Sequence, residues 1–376
     1  MIPFNKPFLS GDEIDYIKMA VASGKISGDG VYTEKCHRFL EERYHFGKAL
    51  LTTSCTDALE MVAILADITP GDEIIAPSFT FVSSVNPFLM RGGKIVFCDV
   101  KGDYPCINEN TIESLVTSRT RIIIVVHYAG IACNMDVIMD IASRHNLLVV
   151  EDAAHAIDSF YKNKPLGGIG HFGAFSFHET KNIIAGEGGA IVLNSPGYVE
   201  RAEIIREKGT NRSKFFRGEI DKYSWVDIGS SFLPSELTAA FLFAQLEHLD
   251  DIQRKRKHLW DMYYQLLLPL LQNGKLSLPV IPPYATNNAH MFYVQAKNIE
   301  ERNKLIEYLK KAGIMAVFHY QPLHSSPFFR SFYRGEPLLN TIKYADTLLR
   351  LPLYFELSPE QVIYIVRKIN EFYAGN

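Results

Sequence analysis

Lys181 stands where a short apolar run, 172–177, gives way to a polar turn, and Gly186, Gly188 and Gly189 close the segment. A lysine leaving a strand end points into a crevice. There, desolvation or a neighbouring charge lowers its pKa and makes its amine a Schiff-base nucleophile. The same stretch also reads as an ordinary loop lysine. Asp152, in Glu151-Asp152-Ala153-Ala154-His155, ends another apolar run. A carboxylate there can hold a ring nitrogen protonated, as a pyridoxal cofactor requires, or it can simply cap the next helix. Thr53-Ser54-Cys55-Thr56-Asp57 lies at a strand-to-helix junction, where N–H groups and hydroxyls suit a phosphate. Alone it is a plain N-cap. Ser176 can add a hydroxyl to that phosphate, and Phe81 can stack on an aromatic ring or join the core.

Two tempting patterns fail on context. Gly168-Ile169-Gly170-His171-Phe172-Gly173 matches the dinucleotide-binding spacing, but it precedes a strand instead of following one and opening a helix. His178-Glu179 begins like a zinc-protease motif, but position 182 is Asn, so the second ligand is missing. The five cysteines are scattered, with no CxxC pair, so neither a zinc site nor a disulfide framework is expected.

The elements that must position these residues follow from patterning. Residues 49–53, 73–76, 94–100, 121–127 and 147–151 read as strands, continuous and β-branched rather than alternating, as in strands buried on both faces. Helical patterns at 57–67, 81–91 and 135–145 alternate with them, which predicts an α/β fold around a doubly wound, mainly parallel sheet. Ligands in such folds bind beyond the carboxyl ends of the strands. From about Pro234 the pattern is helical for nearly forty residues, leading into a second unit with strands at 290–296 and 314–320 and a helix at 300–312. A final helix opens with the capping box Ser358-Pro359-Glu360-Gln361 and carries one stripe of Val362, Ile365, Val366, Ile369 and Phe372. The expected division is 1–247, a large domain with an N-terminal arm, and 248–376, a smaller C-terminal α/β domain.

Composition sets the bounds. A chain of 376 residues, 47% hydrophobic and 22% charged, has the make-up of a globular protein with a large core. A net charge of −3 gives no reason to expect nucleic acid or an anionic membrane. No apolar run approaches the roughly 20 residues that span a bilayer, and Met1–Lys6 has no apolar signal core. With the scattered cysteines, this predicts a cytoplasmic protein.

Taken together, these residues resemble the DegT/DnrJ family of nucleotide-sugar aminotransferases, over essentially the whole chain. The strings are Ser23-Gly24-Lys25, Ser54-Cys55-Thr56, Pro77-Ser78-Phe79-Thr80-Phe81, His127-Tyr128-Ala129-Gly130, Glu151-Asp152, Ser176–Asn182 and Pro322-Leu323-His324. Ile204–Ser213, Asp227–Ser231, Asn288–Tyr293 and Met315–Tyr320 are most similar to the branch forming TDP-4-amino-4,6-dideoxy-D-galactose. That branch uses TDP-4-keto-6-deoxy-D-glucose and L-glutamate, and serves enterobacterial common antigen and related surface polysaccharides such as O-antigen.

The resemblance implies the fold-type I architecture and pyridoxal 5'-phosphate (PLP) held as a Schiff base on Lys181, the proton carrier. It implies a homodimer with a shared active site. Asp152 would pair with the pyridine nitrogen, and Phe81 would stack on the ring. Ser54, Cys55, Thr56 and Ser176 would surround the phosphate, and Ser231 would reach that of the partner subunit. His155 stands where most members have Gln, near the phenolic oxygen. His178, Arg212, Arg217, Tyr320 and His324 are candidates for substrate contact. Leu233 stands where the family usually has an Arg, and cannot bind the donor carboxylate; Arg212, Lys214 and Arg217 are the alternatives. A related aminotransferase giving another C4 epimer, acting at C3 or using a UDP-sugar fits the same pattern. A sugar dehydratase fits less well, because position 181 is Lys rather than His. A non-catalytic relative that kept the fold also fits less well, because Lys181, Asp152 and the phosphate loop are all present.

Overall fold

Strands β1 (Lys48–Thr52), β2 (Glu73–Pro77), β3 (Lys94–Cys98), β4 (Thr120–Val126) and β5 (Leu148–Asp152) each lie within two residues of their expected ranges. They are followed by a short hairpin, β6 (Phe160–Tyr161) and β7 (Lys164–Pro165), and by β8 (Phe172–Ser176) and β9 (Gly189–Leu193). The computed structural model describes residues 1–375; Asn376, the last residue of the expected second domain, lies outside them. Seven strands form one sheet in the order β1-β9-β8-β5-β4-β2-β3, in which only the pairings of β9 are antiparallel.

The sheet is buried on both faces because its side chains alternate between two cores. Ile123, Val125, Ile75 and Val149 join one apolar cluster, while Ile122, Ile124, Ile74 and Val150 join the other. That alternation accounts for the unbroken β-branched runs.

A three-stranded antiparallel sheet, in the order β10 (Phe292–Gln295), β12 (Leu348–Leu351), β11 (Val317–Phe318), backs onto a third core. The closing helix Pro359–Ala374 packs there through the predicted stripe, every member of which is buried. Each such side chain contributes about 1.5–3 kcal/mol. The capping box forms, with the Ser358 hydroxyl accepting from Gln361 N–H and the Gln361 side chain accepting in turn from Ser358 N–H.

Three expectations about extent need correction. The helical pattern at 81–91 resolves into a single 3-10 turn, Val82–Ser84, and a short helix, Asn86–Met90. Pro87 has no N–H to continue the helical bonding back to Ser83, so it sits in the first turn of a new piece rather than inside a continuous helix. The forty-residue helical run breaks at His248 into helices Glu236–Glu247 and Leu249–Gln272. The strand expected at 314–320 joins the small sheet only at Val317 and Phe318, while Ile314 pairs with Ile2 of the N-terminal arm.

Candidate active site

A cavity of about 600 Å³ opens at the carboxyl ends of β5 and β8, between the large sheet and the small one. Lys181 enters it from the loop joining β8 to β9. That loop is pinned by Phe177 N–H to Gly188 O (2.8 Å), Ala185 N–H to Phe177 O (2.7 Å) and Glu179 N–H to Gly186 O (2.9 Å). Burial lowers the Lys181 pKa to about 8; Cys55 and Asp152 oppose the shift, and Arg350 adds to it.

Asp152, the last residue of β5, is buried and faces the same cavity. Ser84 Oγ donates to its Oδ2 at 2.6 Å and Ala154 N–H to its Oδ1 at 3.1 Å. Because Ser84 has one proton and gives it to Asp152, Thr80 is the donor in the 2.7 Å Thr80–Ser84 bond. One residue earlier, Glu151 points the other way and accepts from Gly167, Ile169 and Gly170 N–H at 2.6–2.7 Å. The glycine-rich turn at 167–170 thus wraps a buried carboxylate and supports the fold rather than a nucleotide.

Ser54 caps helix Cys55–Leu65 by accepting from Asp57 N–H at 3.0 Å. The first-turn N–H groups of Cys55 and Thr56 have no carbonyl within the helix to bond, and both residues line the cavity with Ser176. β9 passes so close that a Cβ on Gly189 would overlap Ser54 carbonyl carbon and Cys55 nitrogen. Only glycine leaves this cradle open.

Three histidines line the opposite wall. His155 Nδ1 accepts from Ala129 N–H at 3.3 Å, so its proton lies on Nε2. Its ring stacks on His290 at 4.3 Å between centroids. Asn182 donates through Nδ2 to Gln253 Oε1 (2.7 Å) and Asn288 O (2.9 Å), which leaves its Oδ1 to accept from His290 Nδ1–H at 2.9 Å. His319 Nδ1 lies 2.9 Å from Tyr128 Oη. Burial, then neighbouring cationic and imidazole groups, pushes all three pKa values well down, so the rings are neutral.

Of the sequence candidates, Ser54, Cys55, Thr56, Phe81, Asp152, His155, Ser176, His178, Lys181 and Tyr320 come together here. Phe81 is 57% exposed and its ring centroid lies 6.4 Å from that of Tyr320. Ser231, Arg212 and Arg217 do not join them within one chain. They line a separate cavity with Lys25, Lys48 and Lys208, because Thr53 N–H binds Phe232 O and Lys208 N–H binds Ser230 O, pinning that segment beside β1. Arg217 is already paired with Glu203 and Glu219, and Lys214 with Glu200. His324 is buried away from the pocket, bonded to Ser78 Oγ at 2.8 Å and packed on Phe97 and Tyr333.

Sequence patterning gives no role to Arg350 or Asn5, and marks His290 and His319 only as members of similar strings. Arg350 carries one signal in the sequence, a lone cation within Leu348-Leu349-Arg350-Leu351.

The profile of the DegT/DnrJ/EryC1/StrS aminotransferase family matches residues 7–370. The chain belongs to that family. Relatives of this family member include GDP-perosamine synthase of Escherichia coli O157:H7, 31% identical over 99% of both chains. The spore coat polysaccharide biosynthesis protein SpsC of Bacillus subtilis is 28% identical over 100% of this chain and 97% of the relative. Among solved structures, S. venezuelae DesV in complex with a ketimine intermediate superposes with a TM-score of 0.90 at 29% identity, covering 99% of this chain and 98% of DesV. The fold is that of PLP-dependent aminotransferases of fold-type I, and a putative sugar aminotransferase of Streptococcus pneumoniae in its PLP form also matches, with a TM-score of 0.90 at 25% identity over 100% of this chain and 99% of that one.

The residues of this member fit PLP. A lysine of lowered pKa, a fixed carboxylate, an exposed aromatic ring and a helix N-terminus kept open by Gly189 surround one cavity. Lys181 can hold the aldehyde carbon, Asp152 the ring nitrogen, and Ser54, Cys55, Thr56 and Ser176 the phosphate.

Proposed function

We propose that this chain transfers the amino group of L-glutamate to C4 of TDP-4-keto-6-deoxy-D-glucose. The products are TDP-4-amino-4,6-dideoxy-D-galactose and 2-oxoglutarate, for surface polysaccharide such as enterobacterial common antigen or O-antigen. The convergence of Lys181 and Asp152 on one cavity, with the Ser54 cradle beside them, carries the aminotransferase part of this reading. The sugar is carried by the strings at 176–182, 204–213 and 315–320.

PLP bound here supplies an electrophilic carbon and a ring that takes up electrons when the carbon bearing the transferred nitrogen loses its proton. Lys181 Nζ removes that proton from the donor's α-carbon and, in the return half-reaction, delivers one to C4 of the sugar. Its lowered pKa makes the neutral amine available near physiological pH. Asp152, ordered by Ser84 and Ala154, supplies the negative charge that keeps a pyridine nitrogen protonated. His155 offers Nε2–H as a neutral donor toward the phenolic oxygen.

The chain works as a homodimer in this reading. The Ser231 and Arg212 cavity, which does not include its own Lys181, then serves the partner's site.

A GDP-linked acceptor is the second reading, favoured by the relative named GDP-perosamine synthase. Visible absorbance separates the two. L-Glutamate should bleach the band of the lysine-bound cofactor. The TDP, UDP and GDP 4-keto-6-deoxy sugars, and a 3-keto isomer, should then be added in separate cuvettes. Recovery with the TDP 4-keto sugar alone is expected, and NMR of the product then fixes the C4 epimer; recovery with the GDP sugar alone would replace the proposed substrate.

A further inference from the structure

Arg350 is the one cation besides Lys181 among the described residues lining the cavity, and it is unspent. It sits mid-strand in β12, opposite Tyr293 on one neighbour and Val317 on the other. Leu349 and Leu351 on either side turn into the third core, so the pleat turns Arg350 the other way, toward the pocket. Its guanidinium lies 4.5 Å over the Phe4 ring, and its buried Nε has no hydrogen-bond partner. Among the described residues no carboxylate lies within ion-pair distance of it. The buried arginines each bind a backbone carbonyl by contrast, Arg302 through Ala345 O although its Nε is also unpartnered. Arg206 binds Leu51 O and Asp29, and Arg256 binds Ala289 O and His290 O.

An enclosed guanidinium without a counter-ion is costly, and such a cost is tolerated where an anion is to arrive. Three anions are conceivable in a sugar aminotransferase. The cofactor phosphate has the Ser54 cradle. The nucleotide diphosphate is separated from the reacting C4 by the sugar ring, so it lies toward the mouth. The donor's α-carboxylate is bonded to the very carbon that Lys181 must deprotonate, and it alone has to sit deep beside the lysine.

We propose that Arg350 binds the α-carboxylate of the amino-acid donor, the role that Leu233 cannot fill. The proposal rests on the aminotransferase reading above. The planar fork of guanidinium matches a carboxylate with two parallel N–H···O bonds. Phe4, stacked on its face, holds the fork in one plane.

The test uses PLP-loaded enzyme and the Arg350→Gln and Arg350→Lys variants. Calorimetry measures binding of α-methyl-L-glutamate, which has no α-proton to lose. Absorbance bleaching compares L-glutamate with its α-carboxamide and its γ-carboxamide. Wild type should favour L-glutamate over the α-carboxamide. R350Q should bind α-methyl-L-glutamate about 100-fold more weakly, lose the preference over the α-carboxamide, and keep any preference over the γ-carboxamide. R350K should fall between. Loading R350Q directly with pyridoxamine 5'-phosphate bypasses the donor, and single turnover with the sugar should then fall far less than the half-reaction with L-glutamate does. Unchanged α-methyl-L-glutamate binding in R350Q, loss of the γ-carboxamide preference instead, or a pyridoxamine-loaded variant that no longer turns over would each overturn the assignment. Failure of the underlying reading looks different: wild type itself would carry the cofactor band and no amino acid would bleach it.

Discussion

A protonated Lys181 is an expensive charge in its pocket, because enclosure strips its water and Arg350 repels it. Its folded pKa of about 8 lies below that of an unfolded lysine, near 10.4. Below about pH 8 both states hold the proton and the folded state bears the whole penalty. Between about 8 and 10.4 the unfolded state binds more protons, so stability attributable to this residue rises with pH and then levels off. Lys181→Met in cofactor-free protein should therefore be more stable than wild type at pH 7, by on the order of 1–3 kcal/mol. The gain should shrink as pH approaches 10, which chemical denaturation at several pH values will show. An equal difference at every pH would mean that the amine is not strained. Lys181 and Asp152 are legible in the chain because residues at strand ends face the crevice of a doubly wound sheet. Arg350 is not. Its direction depends on β12 pairing with strands more than thirty residues away, and no local pattern encodes that.

Elements hold the site through a polar lattice more than through apolar contact. Asn288 is buried and fully used: Nδ2 donates to His155 O (2.7 Å) and Ile157 O (2.8 Å), and Oδ1 accepts from His290 N–H (3.0 Å). It thereby ties the segment after β5 to the entry of β10. Gly130, at a positive φ of 77°, lets the chain pass this amide, since a Cβ there would overlap it. Asn288→Ala leaves two buried carbonyls and one N–H without partners and should destabilise the protein by on the order of 3 kcal/mol. It should also loosen the His155–His290 stack, weakening PLP retention at fixed cofactor concentration. A urea midpoint unchanged from wild type would count against this reading of the lattice. The strands are readable because two-faced burial demands unbroken β-branched runs. The break at His248 is not, because no proline or glycine marks it; it is accompanied by the His248–Asp12 contact and the packing of Leu249 and Ile252 in the first core, both of which join distant parts of the chain. The loss of helix before Pro87 is marked by that proline.

At the scale of the molecule, the large sheet supplies Lys181, Asp152 and the Ser54 cradle, and the smaller sheet brings His319, Tyr320 and Arg350 across from them. The N-terminal arm joins the two. Ile2 pairs with Gly313 and Met315 beside the small sheet, and Asn5 Nδ2 donates to Glu179 O in the lysine loop at 3.2 Å. No helix among the described residues is long and apolar enough to cross a membrane. The proposed homodimer predicts that Lys181→Ala and Ser231→Trp chains, each inactive alone, regain part of their activity after subunit exchange. Mixtures as inactive as their components would confine each site to one chain.

Everything proposed for this chain depends on Lys181 carrying the cofactor. Borohydride reduction of PLP-loaded enzyme, followed by peptide mass spectrometry, tests that without any assumption about the sugar. The reduced adduct should appear at Lys181 in one copy per chain and vanish if L-glutamate is added before the borohydride. An adduct on another lysine, or one indifferent to glutamate, would contradict the assignment.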